Sequence, residues 1–207
     1  MAEYKDKKGV FSFQRSFNNI SQLVNSDSSF NQIAQQILNE LAHSLDCQWG
    51  TYWQVSSEFQ LLKSIAIWVA PGFTAPNLSR NTESRILSLG EGTAGQVWKS
   101  KEPIWTRNLI QDMCLPRSLD ADSSGLTGGF WFALKTKDTV YAVIELLGRN
   151  LAPPSQALIV GIESFSIHLG YILKERSGAE SNLSVKTSPR GDSKNVEIGY
   201  EGNDGEF

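Results

Sequence analysis

The chain is 207 residues long and 40% apolar, enough for one domain with appendages around a continuous core. Its 19 basic and 22 acidic residues leave a formal charge of -3, with no block of either sign, so the basic field that nucleic acid or an anionic membrane would need is missing from the pattern. Two separated cysteines, Cys47 and Cys114, lack the spacing of a zinc or redox motif, and nothing resembling a signal peptide or a long apolar span is evident; a soluble cytoplasmic protein with neither nucleic-acid nor membrane partners is the expectation.

Phe13, Phe17, Ile20 and Val24 fall on one helical stripe. Ser29 with Gln32 has the form of a capping box, and Phe30, Ile33, Ile37, Leu41 and Leu45 continue as a second, longer helix. Alternation then takes over. Cys47, Trp49, Thr51, Trp53 and Val55 share one side of a strand, and Leu61 to Val69 returns antiparallel after a polar turn. The proline-rich run Pro71 to Asn77 reads as a loop, Ser79 to Arg85 as a polar helix, and Ile86 to Leu89 as a short edge strand.

Gly90, Gly92 and Gly95 fit the spacing of a dinucleotide fingerprint, but Pro103 cuts the following helix short and no repeated βαβ units surround it. Positive φ and close helix approach are the simpler roles for these glycines. Residues 108 to 128 show little regular pattern, and a connection of that length is the natural lid for a pocket. Phe130 to Leu134 and Val140 to Leu147 form a hairpin rich on both faces, which suits the middle of a doubly covered sheet. After Pro153-Pro154, residues Leu158, Ile162, Phe165, Leu169 and Ile172 form a helical seam that closes near Arg176 and Gly178. From there to Phe207 the composition is that of a disordered tail or linker.

No serine, cysteine or histidine sits in a recognisable catalytic or metal-binding arrangement, which points away from an enzyme. The aromatic content, Trp68, Trp98, Trp105, Trp131, Phe130 and Phe132, can either line a pocket for a planar ligand or fill the space between sheet and helices. Arg117 is a candidate anion partner, and Cys114 could anchor a linear tetrapyrrole through a thioether.

The ordered run Ile67-Trp68-Val69-Ala70-Pro71-Gly72, Leu89 to Trp98, Glu102-Pro103-Ile104-Trp105, Pro116-Arg117, Gly125-Leu126, the strand pair 130 to 147 and Ile167 to Arg176 resembles a GAF domain. The kind it resembles is found beside PAS and histidine-kinase modules in bacterial, including cyanobacterial, signalling proteins. The resemblance spans residues 28 to 176, after an N-terminal helical extension over 1–27 and before a tail over 177–207.

It implies an α+β fold: a central antiparallel sheet of five or six strands, N- and C-terminal helices on one face, and pocket loops on the other. It implies further a sensory or regulatory module, without catalysis of its own, that homodimerises through its terminal helices and acts on a signalling partner or fused output domain, as in two-component systems. Pocket candidates under this reading are Trp68, Trp98, Trp105, Cys114, Arg117 and Phe132, with a bilin as the one cofactor considered. The alternatives are a bilin-binding photoreceptor, although Cys114 is followed by Leu115 and not by the family's histidine, and a degenerate module serving only dimerisation or docking. The Asn-Lys pair of cyclic-nucleotide-binding members does not occur, and one pocket-side cysteine falls short of the several used by methionine sulfoxide reductases of this fold.

Overall fold

A computed structural model describes residues 15–16, 18–20, 29–56, 58–112 and 117–186, with 177–186 described for their backbone alone. Six strands form one antiparallel sheet: β1 (Trp49–Ser56), β2 (Leu61–Val69), β3 (Ile86–Ser88), β4 (Ile104–Thr106), β5 (Gly128–Lys135) and β6 (Val140–Gly148), in the order β3-β2-β1-β6-β5-β4. The helices are α1 (Phe30–Ser44), α2 (Pro76–Glu83), α3 (Gly92–Ser100), α4 (Leu109–Asp112), α5 (Arg117–Ser123) and α6 (Gln156–Lys186). This is the expected α+β architecture, at the upper end of the expected strand number.

The central strands β1, β6 and β5 are buried on both sides, so two apolar layers must cover them. On one face α1 lies over β1 and β2, and α6 lies over β5 and β6. Ile33, Ile37, Leu38 and Leu41 of α1 and Ile162, Phe165, Leu169 and Leu173 of α6 enclose Tyr52, Phe132, Ile144 and Leu146 from the sheet. Ile20, from the predicted first stripe, is buried in the same core, and neighbouring Ser16 and Asn19 donate to the carbonyl and carboxylate of Glu40. Phe13, Phe17 and Val24 lie outside the described residues.

Local signals explain where these helices begin. Ser29 and Gln32 form the predicted capping box, with the Ser29 hydroxyl accepting from Gln32 N and the Gln32 side chain accepting from Ser29 N. At α6 the Ser155 hydroxyl accepts from Leu158 N, and Pro153 and Pro154 stay just ahead of the helix. That helix does not stop at Gly178; it is 31 residues long and reaches Lys186, about 46 Å at helical rise. The window Gln156–Arg176 has a mean hydropathy of 1.4, sufficient by length and composition for a membrane span, a pattern not anticipated from the sequence. Its most apolar side is nonetheless packed on the sheet.

The other face is covered by α2, α3 and α5. Trp49, Trp53, Trp131, Val143 and Leu147 from the sheet meet Leu78, Ala94, Val97 and Trp98 from the helices. The β3–α3 turn behaves as its glycines predict. Gly90 has φ 85° and Gly92 has φ 61°, while a Cβ on Gly95 would meet Ser88 O at 2.7 Å. Within the 108 to 128 connection, α4 and α5 replace the expected irregular loop. Their helical turns are short, and Leu109, Ala121 and Leu126 give the segment its apolar contacts with the core.

Strict alternation of faces along β6, which would put Val140 with Ala142, Ile144 and Leu146, is broken at its start. Leu134 pairs with Ala142 but Lys135 pairs with Val140, so Tyr141 is the extra residue of a bulge. Val140 therefore joins the α3 side, whereas Ala142, Ile144 and Leu146 face the α1/α6 layer.

α6 approaches the sheet most closely at Gly170, where an added Cβ would lie 2.1 Å from the backbone oxygen of Lys135. Backbone cannot rotate away, so Gly170→Ala must lift the helix off β5. A loss of about 1–3 kcal/mol is expected, read as a lower urea midpoint at unchanged denaturant slope.

Candidate functional site

Glu145 is the one charged residue in the apolar strand β6, and its side chain points into the α2/α3/α5 face, fully buried. Four donors converge on it. Arg117 Nη1 donates to Oε2 at 3.0 Å and Nη2 donates to Oε1; Thr51 Oγ1 donates to Oε1 at 3.0 Å; Trp131 Nε1 donates to Oε2 at 2.8 Å. Thr51 in turn accepts from Trp49 Nε1 at 2.8 Å. The third side of the guanidinium is used as well, since Arg117 Nε donates to Thr82 Oγ1 at 2.9 Å while its Cζ lies over the Trp53 ring, 5.1 Å from the centroid.

Each contributor is placed by its element. β1 supplies Trp49, Thr51 and Trp53 at the period-2 spacing of one strand face, and neighbouring β6 and β5 bring Glu145 and Trp131 opposite each other in register. Thr82 lies in the last turn of α2, and α5 opens at Arg117. A second bond, Asn81 Nδ2 to Asp120 Oδ2 at 2.5 Å, ties α2 to α5 beside it.

The electrostatics follow from this geometry. Burial by itself raises the pKa of the Glu145 carboxyl, but the Arg117 charge and the hydrogen bonds from Arg117, Trp131 and Thr51 outweigh burial and hold it below the ordinary value. The carboxylate is therefore ionised at neutral pH and locked in a two-toothed pair. Not every polar atom nearby is matched: among the described residues, Trp53 Nε1 and Ser118 Oγ are buried without a partner.

The remaining space is small. A cleft bounded by Arg85, Leu87, Thr93 and Ala94 reaches Arg117 and Glu145 and offers about 20 Å³, room for one or two waters. As described, this cleft is too small for a cofactor of tetrapyrrole or nucleotide size.

The sequence-derived candidates do not converge. Arg117 sits at the centre of this cluster and Trp98 is buried in the same layer. Trp68, Phe132 and Trp105 pack on the opposite, α1/α6 side of the sheet; there Trp68 Nε1 donates to Asn39 Oδ1 at 2.9 Å and its ring meets His43 edge-on. Strand parity turns those three toward α1 and α6, whereas Trp98 and Arg117 come from helices that cover the other face. Cys114 lies outside the described residues. Cys47 is buried on the α1 side, where desolvation and then the Asp46 carboxylate push its thiol pKa up, leaving it poorly nucleophilic. Among the described residues no three His, Cys, Asp or Glu side chains gather at metal-binding distance. The group missed from the sequence is Glu145, whose signal was a lone acid in an unbroken apolar strand.

No protein-family model matches the chain, and no curated protein matches it in sequence. Solved structures do match its fold. The GAF domain of a phosphoenolpyruvate-protein phosphotransferase from Coxiella burnetii superposes with a TM-score of 0.64 at 14% identity, covering 84% of this chain and 98% of that one. The GAF domain of nlh2 from A. Aeolicus, in an inactive state, gives 0.62 at 14% identity over 80% and 98% of the two chains. The free methionine-R-sulfoxide reductase from Neisseria meningitidis, in complex with its substrate, gives 0.60 at 14% identity over 83% and 91%. The chain thus has a GAF-like fold. The expectation that it is not an enzyme does not stand, because this same fold carries catalysis in the reductases.

Removing one member of the buried pair strands the other. Glu145→Leu is expected to cost about 3–5 kcal/mol in urea unfolding, and Arg117→Met with Glu145→Leu to recover most of it. The pH dependence has a defined sign. With its folded pKa below the ordinary 4.5, Glu145 contributes stability that is complete above that value and is lost as pH falls toward the folded pKa. The gap in urea midpoint between the native protein and Glu145→Gln should therefore be constant near neutrality and shrink below pH 4.5.

Proposed function

We propose that this chain is a regulatory module of the GAF kind that homodimerises through α6 and passes changes on the α2/α3/α5 face to a signalling partner or fused output domain. One observation carries the proposal. While Ile162, Phe165, Leu169 and Leu173 bind α6 to the sheet, Val160, Ile167 and Tyr171 stand outward, 53%, 39% and 50% exposed. They recur seven and four residues apart, on a second helical stripe with the spacing of a two-helix seam. Large apolar groups repeated along one helix face mark an association surface, and α6 continues beyond the sheet to Lys186.

The coupling route is short. Gly170 seats α6 on Lys135 at the end of β5, and Trp131 of that strand donates to Glu145 on the far face. A rearrangement at the buried pair is felt by the strand that carries the helix. The predicted seam residues Phe165, Leu158 and Ile172 belong to the inner side of α6 or its flank, so the outer stripe takes their place as the dimer contact.

A second reading, a module used only for dimerisation or docking, is favoured by the small size of the described cleft, about 20 Å³. The bilin reading has no observation in its favour among the described residues.

Sedimentation velocity tests the first claim. The chain is expected to be dimeric at micromolar concentration, and Ile167→Glu to weaken association at least about tenfold while keeping a cooperative thermal transition, its midpoint falling only by the lost mass-action contribution of the dimer. A monomeric chain, or a variant that associates unchanged, overturns the dimer. Phe165→Glu is not a substitute, because it buries a charge under the sheet.

A further inference from the structure

The Glu145 cluster is built as a complete binding seat for a guanidinium group. It presents a carboxylate to both terminal nitrogens, a hydroxyl oxygen on Thr82 to the third, and the Trp53 ring to the plane. Flat geometry, a two-toothed acceptor and an aromatic face are the combination that distinguishes a guanidinium from an ammonium ion. The occupant is the chain's own Arg117, delivered by α5, a helix of 7 residues held to its neighbours by Asn81–Asp120 and the small buried side chain of Ala121. Nothing in the seat itself requires that the guanidinium be covalently attached: Glu145, Thr51, Trp131, Thr82 and Trp53 all come from α2 and the sheet.

We propose that this cluster is a binding site for a small alkylguanidinium ligand, self-occupied by Arg117, so that α5 acts as a tethered competitor. The cleft along Arg85 and Thr93 already reaches the pair. With Arg117 seated it has room for only one or two waters, so a guanidinium ligand can enter only as Arg117 leaves. Self-occupancy explains how a seat of defined chemistry can adjoin a cleft of only about 20 Å³. Affinity in the unaltered chain is reduced by the fraction of time Arg117 is withdrawn, against an effective tether concentration on the order of millimolar. The ligand class deepens the regulatory reading above, and the two are tested separately: binding reports on the site, dimerisation on the output.

The experiment titrates the full chain and its Arg117→Ala variant with methylguanidinium chloride, using methylammonium chloride as a control at equal ionic strength. Tryptophan emission, to which Trp53 and Trp131 contribute from the site, and the thermal midpoint are the readouts. Arg117→Ala is expected to respond saturably and at least tenfold more tightly to methylguanidinium than to methylammonium. The response should vanish in Arg117→Ala with Glu145→Gln, and be at least tenfold weaker in the unaltered chain. Should Arg117→Ala not fold, Arg117→Gln replaces it; should neither fold, methylguanidinium is expected to restore a cooperative transition. No saturable response or restoration, a response that survives loss of the Glu145 charge, or one equally tight in the unaltered chain would each overturn the proposal.

Discussion

A single carboxylate in an otherwise apolar strand governs how the second layer of this protein is assembled. An ionised Glu145 cannot remain buried beneath a helix without partners, since isolated burial of such a charge costs far more than the few kcal/mol by which a domain is stable. The sheet supplies two neutral donors, Thr51 and Trp131, and the balance must come from a cation on another element. Arg117 meets that need, and in doing so draws α5 over the sheet and against Thr82 of α2. The layer is therefore organised by charge compensation at its centre and by apolar packing of Trp49, Trp53, Leu78, Val97 and Trp98 around it.

The opposite layer follows a different logic. Long amphipathic helices, α1 and α6, bury regular stripes against alternating side chains of β1, β2, β5 and β6. No charge is needed there, and the contact is set by shape, most tightly where Gly170 lets α6 rest on the backbone of Lys135. Because β5 and β6 are shared by both layers, the polar cluster and the long helix lie on opposite sides of the same two strands. A fold of this kind joins a chemically specific face to a mechanically extended one.

Much of the helical layer was legible in residues. The Ser29/Gln32 box, the Ile33–Ile37–Leu41 stripe and the spacing of Ile162, Phe165 and Leu169 each state a local preference that tertiary packing then agrees with. The hairpins were legible for the same reason. Less could be read from the site. Trp68, Trp105 and Phe132 look like Trp98 in composition, yet their strand positions turn them toward α1 and α6, whereas Trp98 belongs to helix α3 on the other side of the sheet. The short helices α4 and α5 escaped notice because polar residues dominate their few turns.

Periodicity, capping chemistry and glycine placement, all properties of neighbours in the chain, determined from the sequence alone the helices near its ends and the two hairpins between them; one antiparallel sheet was what the resemblance to GAF domains implied. Which side chains share a face, that Arg117 would travel from one element to neutralise Glu145 28 residues away, and that this pair would close the second face were decided only in three dimensions. The reason is physical: apolar patterning is written locally, whereas the compensation of a buried charge depends on whichever group the finished packing brings within hydrogen-bond reach.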